Sequence, residues 1–202
     1  MEKEKRKFRI KYNAPVTLTF AIICLIVLSF MYMGKHAIIR TFFEVYRSEF
    51  SLAWVVRLVG HSLGHISFEH FFGNMTLFLL LGPILEEKYG SKNFIEMIVI
   101  CSVVESIVQM VFIPNTALLG ASGVVFMMII LASAVNLREG ELPLTMILVI
   151  LVYLGKELWA QFTVHDNVSH ITHIVGGLCG AFFGFFYSKE IDKKETKGIE
   201  KM

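Results

Sequence analysis

The sequence predicts an all-α polytopic membrane protein, a bundle of six transmembrane helices with an interfacial first loop. Three observations carry that expectation. Of 202 residues, 55% are hydrophobic and 18% charged, with a mean hydropathy of +0.63, which is more apolar than a soluble core requires. Apolar segments of spanning length, roughly 17 to 25 residues each, recur at 14–34, 69–85, 94–113, 121–137, 143–163 and 169–188. Finally, Lys and Arg gather in alternate connections, as the spans of a bundle that crosses the membrane repeatedly would have them.

The first span follows a basic stretch, Lys3 to Lys11, and so superficially resembles a signal peptide. Its apolar run is long enough to span and lacks a small-residue cleavage pattern, so it reads as an uncleaved first helix. Residues 1–13 are then a basic cytoplasmic tail, 14–188 the membrane domain and 189–202 a charged, solvated cytoplasmic tail. Between the first two spans, residues 35–68 are too long for a hairpin turn. Ile38, Phe42, Phe43, Tyr46 and Phe50 are interspersed there with Arg40, Glu44, Arg47 and Glu49, a pattern for short helices lying in the interface, with Trp54 and Arg57 on the same surface.

The N-terminal tail, the Glu86 to Asn93 connection, the Arg138 to Leu142 turn and the C-terminal tail hold fourteen of the nineteen Lys and Arg residues. The positive-inside rule therefore places both termini in the cytoplasm of a multi-pass cell-membrane protein. The first loop, the Pro114 to Gly120 loop and the His165 to Ser169 loop then face outside. A formal charge of +2 is too small to imply a nucleic-acid partner. Cys24, Cys101 and Cys179 each lie in an apolar stretch and read as small membrane-embedded side chains, neither disulfide nor zinc ligands. No metal or cofactor is expected, and oligomeric state is not legible.

Polar side chains inside the membrane are functional candidates by default. Ser122 lies between Gly120-Ala121 and Gly123, where the loop at Pro114 and Asn115 gives way to an apolar helix. His70 and Asn74, four apart, share one face of the second span and can donate toward a single point, although either alone reads equally as a tie between helices. His173, Gly176, Gly180 and Gly184 form one stripe of the sixth span. Glycines at that spacing admit another helix at backbone contact, and the partner expected is the fourth span through Gly123, which brings His173 within reach of Ser122.

A serine hydroxyl needs a hydrogen-bonded base to become a nucleophile, and a tetrahedral oxyanion needs donors. Ser122 and His173 supply the first pair; His70, Asn74 and the Ser122 N–H supply the donors. The Gly120-Ala121-Ser122-Gly123 motif, His70 with Asn74, and His173 followed by Gly176 together resemble the signature of rhomboid intramembrane serine proteases, over nearly the whole chain. Trp54 and Arg57 are similar to that family's Trp-Arg loop motif though spread by two residues, Glu86 to Gly90 matches after the second span, and His65 falls where the family often has a histidine. The compact loops suit its minimal six-helix, prokaryotic type.

The resemblance implies a Ser122-His173 dyad without a third acid, oxyanion donors His70 and Asn74, a cavity open to the outside, and transmembrane proteins in the bilayer as substrates. His65 and His170 are candidate supporting groups, His170 also a pH-sensitive one. Thr172 departs from the alanine usual before the catalytic histidine. His36, His61 and His165 are expected to be solvated loop histidines. Glu105 and Gln109 read as a helix-to-helix tie, and Lys156 with Glu157 as snorkelling residues of a tilted or movable fifth span. Two other functions are weighed: a non-catalytic relative that escorts membrane proteins, opposed by retention of both dyad residues, and a metal-dependent protein using the histidines, opposed by the absence of a His-Glu-x-x-His motif.

Overall fold

The structure, a computed structural model, describes residues 11–134, 143–155, 159 and 169–199. It is all-α: among the described residues there is no strand, only an isolated antiparallel bridge between Val45 and Leu118. Helix α1 is Pro15–Tyr32, entered through Pro15, whose missing N–H costs nothing in a first turn. The first loop folds into α2, His36–Phe42, and α3, Leu52–Gly60, followed by a 3₁₀ turn, His61–Leu63. Then come α4, Phe68–Tyr89; α5, Ser91–Phe112; α6, Ser122–Ser133; α7, Leu144–Val149, extended by a π-helical turn, Ile150–Leu154; and α8, His170–Ile199.

Four helices are long and apolar enough to cross a bilayer, α1, α4, α5 and the His170–Tyr187 part of α8, while α6 and the α7 stretch are shorter apolar helices. Large apolar side chains such as Leu25, Phe72, Leu80, Val111 and Phe182 point outward, each at least half exposed. The interior adds to its apolar core a set of buried polar groups, among them His61, His65, Asn74, Ser102, Glu105, Ser106, Gln109 and His173. An apolar outer surface with the polar groups turned inward is the arrangement of a protein whose solvent is lipid.

Several boundaries differ from the sequence expectation. The connection expected at Glu86 to Asn93 shrinks to Gly90 alone, at φ +80, because its charged residues continue the helices on either side. Glu86 turns inward: its carboxyl accepts from the Val16 and Thr17 N–H groups, both at 3.0 Å, the Thr17 hydroxyl at 2.9 Å and the Ser91 hydroxyl at 2.7 Å. That ties α1, α4 and α5 and caps two first-turn donors of α1. Helix α8 runs past the expected boundary at 188, since the Lys and Glu beyond it are good helix formers. Lys156, Glu157 and His165 lie outside the described residues.

Arg57 also differs. It is only 4% exposed, stacked 4.1 Å over the Tyr46 ring and donating from Nη2 to Ser48 Oγ at 2.6 Å. The guanidinium therefore staples the first loop from within, while Phe50 and Leu52 form its exposed apolar edge.

At the centre sits α6, apolar on all sides, with Met127 to Leu131 all buried. Its main neighbour is α8, which meets it at backbone distance along the glycine stripe. A Cβ on Gly176 would overlap the Gly123 carbonyl, one on Gly180 would overlap the Met127 carbonyl, and one on Gly184 would lie 2.8 Å from the Ala134 Cβ. Replacing Gly180 with Ala should therefore destabilise the fold by about 1 to 3 kcal/mol through overpacking against backbone that cannot move aside. Gly73→Ala, at a helical position open to space, should leave stability unchanged or raise it slightly. Thermal unfolding in detergent reads both; equal midpoints would contradict the close-contact account.

Candidate active site

The segment leading into α6 is fixed from three sides. Leu118 and Val45 exchange backbone hydrogen bonds at 3.0 and 2.9 Å, joining the first loop to the serine loop. The Gly120 N–H donates to the His61 carbonyl at 2.9 Å. Gln109 donates from Nε2 to the Ile113 carbonyl at 3.3 Å and to the Thr116 carbonyl and hydroxyl at 3.2 and 2.9 Å, and accepts at Oε1 from the Ser169 hydroxyl at 2.9 Å. One amide thus joins the serine loop to the residue before α8.

Gly120 has φ +138, a conformation open to glycine and strained for other residues. A side chain there would also meet the His70 ring, whose Cε1 and Nε2 lie 2.6 and 2.8 Å from an ideal Cβ. The backbone consequently turns directly over His70 and delivers Ser122 as the first residue of α6, where amide N–H groups have no intrahelical acceptor. Across the α6–α8 contact, Ser122 Oγ lies 2.8 Å from His173 Nε2. At that distance the hydroxyl can donate to an unprotonated imidazole.

His173 is 8% exposed and lies flat on Phe126, ring centroids 4.5 Å apart and planes within 8°. Phe126 is one turn after Ser122 on α6, so a single helix carries both the hydroxyl and the surface that orients its neighbour. His170 is perpendicular to His173 at 6.2 Å. The Thr172 hydroxyl donates to the Ser169 carbonyl at 2.8 Å and the residue is 1% exposed. The extra hydroxyl is therefore satisfied inside the first turn of α8.

On α4, the Ser67 hydroxyl caps the helix by accepting the His70 N–H at 3.1 Å. Asn74, one turn on, is 7% exposed, and its Nδ2 has no hydrogen-bond partner among the described residues. A buried amide donor left unpaired is costly and calls for an explanation in function. His65 packs edge-on against His70 and Phe71, at 5.2 and 5.5 Å.

His61 overturns one expectation. It is not a solvated loop residue but fully buried, with Nε2 3.1 Å from the Ser102 carbonyl, while its own carbonyl holds Gly120. Its partners are remote in sequence, so nothing local signalled this. Phe126 was missed too, although its offset of four from Ser122 is the spacing at which a helix stacks side chains. Among the described residues, no three His, Cys, Asp or Glu side chains are grouped so as to hold a metal ion, and all three cysteines are free.

A family model, "Rhomboid domain", matches residues 53–190. Similar proteins include "Rhomboid protease GlpG" of Haemophilus influenzae, 25% identical over 183 residues, which cover 88% of this chain and 93% of that protein. "Rhomboid-related protein 1" of Caenorhabditis elegans is 30% identical over 142 residues, 66% of this chain and 39% of the relative. "Rhomboid-related protein 2" of Mus musculus is 29% identical over 159 residues, 72% and 51% respectively. The chain spans under two fifths and about half of the two animal relatives, and nearly all of the bacterial one.

Burial gives His65 a pH signature. Loss of hydration, with His70 beside it, pushes its pKa down from 6.5 to about 4. Between those values the unfolded chain binds more protons than the folded one, so stability falls as pH drops from 6.5 toward 4. The unfolding midpoint should decrease from pH 7 to pH 5, and His65→Gln should reduce that decrease. An identical pH slope in the variant would show that His65 is not held neutral by the fold.

Proposed function

The chain belongs to the rhomboid family, and we propose that it is an intramembrane serine endopeptidase that cleaves transmembrane segments of other proteins through Ser122 and His173. The observation that carries this reading is the 2.8 Å contact between Ser122 Oγ and His173 Nε2, made between helices at a backbone-distance crossing. A serine placed only for packing has no need of an oriented imidazole.

In the proposed reaction Ser122 Oγ attacks the scissile carbonyl carbon as its proton passes to His173 Nε2. The electron pair of the carbonyl moves to oxygen. Asn74 Nδ2, the His70 ring and the Ser122 N–H donate to that oxyanion; the unpaired state of Asn74 Nδ2 suits a donor whose acceptor exists only during the reaction. His173 then gives its proton to the leaving amine as the C–N bond breaks, which leaves an ester on Ser122. Water, deprotonated by His173, attacks the ester; the new carboxyl terminus departs and Ser122 regains its proton. Phe126, stacked on His173, keeps the imidazole plane aligned through both proton transfers.

The length of α6 supports a site below the membrane surface. Twelve residues span about 18 Å, less than a hydrocarbon core of roughly 30 Å. A substrate helix would have to unwind locally to present its carbonyl there. Both termini lie in the cytoplasm in this proposal, and the site opens to the opposite side, as the distribution of Lys and Arg requires. Retention of both dyad residues at hydrogen-bond distance favours catalysis over a purely escorting role.

Purified protein carrying Ser122→Ala should fold as the wild type does and lose all cleavage of a transmembrane reporter. Asn74→Ala should lower kcat by about 10²- to 10³-fold with the dyad intact. Reporter cleavage that persists in Ser122→Ala refutes the assignment, and an unchanged kcat in Asn74→Ala removes that donor from it.

A further inference from the structure

The mechanism leaves a buried intramembrane acid of α5 unused. Glu105 is 1% exposed, in the middle of α5. Its carboxyl lies directly against the Cα of Gly123, the residue that follows Ser122: an ideal Cβ at 123 would fall 2.5 Å from Glu105 Cδ, 2.7 Å from Oε2 and nearer still to Oε1. One turn earlier, the fully buried Cys101 donates its thiol to Oε1 at 2.9 Å. Cys179 of α8 packs against the apolar core that contains Cys101. On another side of residue 123, its carbonyl is pressed by Gly176.

Gly123 is therefore clamped between a carboxyl from α5 and the backbone of α8. If the space beside its Cα needed only filling, an aliphatic side chain would do so without burying a polar head. A carboxyl anchored by a thiol does something more. It presents acceptor atoms at the first turn of α6, where the aligned peptide dipoles favour them, and its orientation is fixed by Cys101. We infer that Glu105 is a positioning residue: held by Cys101, it sets the first turn of α6 and thereby the direction of Ser122 Oγ toward His173. This assignment rests on the protease reading of the same site.

A size exchange tests it. In the full-length protein, kcat and KM for a transmembrane reporter are measured for Glu105→Leu, Glu105→Gln, Glu105→Ala, Gly123→Ala and the Glu105→Ala/Gly123→Ala pair, with Ser122→Ala as reference. Glu105→Leu should lower kcat at least about tenfold with KM within twofold and an unchanged unfolding midpoint, and Glu105→Gln should recover most of that loss. Gly123→Ala, which drives a methyl into the carboxyl, should be nearly inactive, and the double variant should exceed both of its single parents. If Glu105→Leu does not fold, the contrast between Glu105→Gln, which keeps an acceptor, and Glu105→Ala, which does not, decides. Wild-type kcat in Glu105→Leu, or a double variant no better than Gly123→Ala, overturns the inference and leaves the protease reading standing. Cleavage that survives Ser122→Ala overturns both.

Discussion

Everything in the site depends on how closely α6 and α8 approach. Two helices with ordinary side chains pack with axes about 8 to 10 Å apart, and a serine on one and a histidine on the other are then held apart by their neighbours. Here the stripe Gly176, Gly180 and Gly184 removes the side chains of α8 along the contact, so that its backbone lies on the carbonyls of Gly123 and Met127. Burial of apolar surface cannot drive this crossing in lipid, where an apolar face has nothing to gain by leaving its surroundings. Close van der Waals contact takes that part, and it demands glycine. The 2.8 Å distance between Ser122 and His173 is a consequence of that crossing.

The rest of the bundle supports the crossing from outside. The first loop, stapled by Arg57 under Tyr46, reaches the serine loop through Val45 and through the carbonyl of His61. Gln109 spans from that loop to Ser169, just before α8, so the two chain segments that carry Ser122 and His173 are bound to one side chain of α5. Glu86 performs a similar service at α1, α4 and α5. These polar groups are buried among helices whose outer faces are apolar, and Glu86 and Gln109 each bond to several partners from neighbouring segments. Asn74 Nδ2, on the helix beside Gly120 and Ser122, has no such partner among the described residues.

Much of this was legible in the chain itself. Periodic apolar segments gave the helices, and an offset of 3, 7 and 11 from His173 put the glycines on its own face. What escaped were contacts between segments far apart in sequence. His61 looked like a solvated loop histidine because nothing near it shows that Ser102 and Gly120 close over it. Arg57 looked like a surface residue because its partner is the face of Tyr46 rather than a carboxylate. Helix ends were misjudged wherever charge was taken as the end of a helix, at Glu86 to Asn93 and beyond 188, since charged residues end a span without ending its backbone hydrogen bonds.

The central claim is that the α6–α8 contact activates Ser122 through His173. Its most direct measurement is the rate at which a fluorophosphonate labels the purified protein, with the modified residue located by mass spectrometry. The account predicts labelling at Ser122, abolished by His173→Ala and strongly slowed by Gly176→Ala in protein that remains folded. Labelling at another residue, or at Ser122 with equal rates in all three proteins, would contradict it.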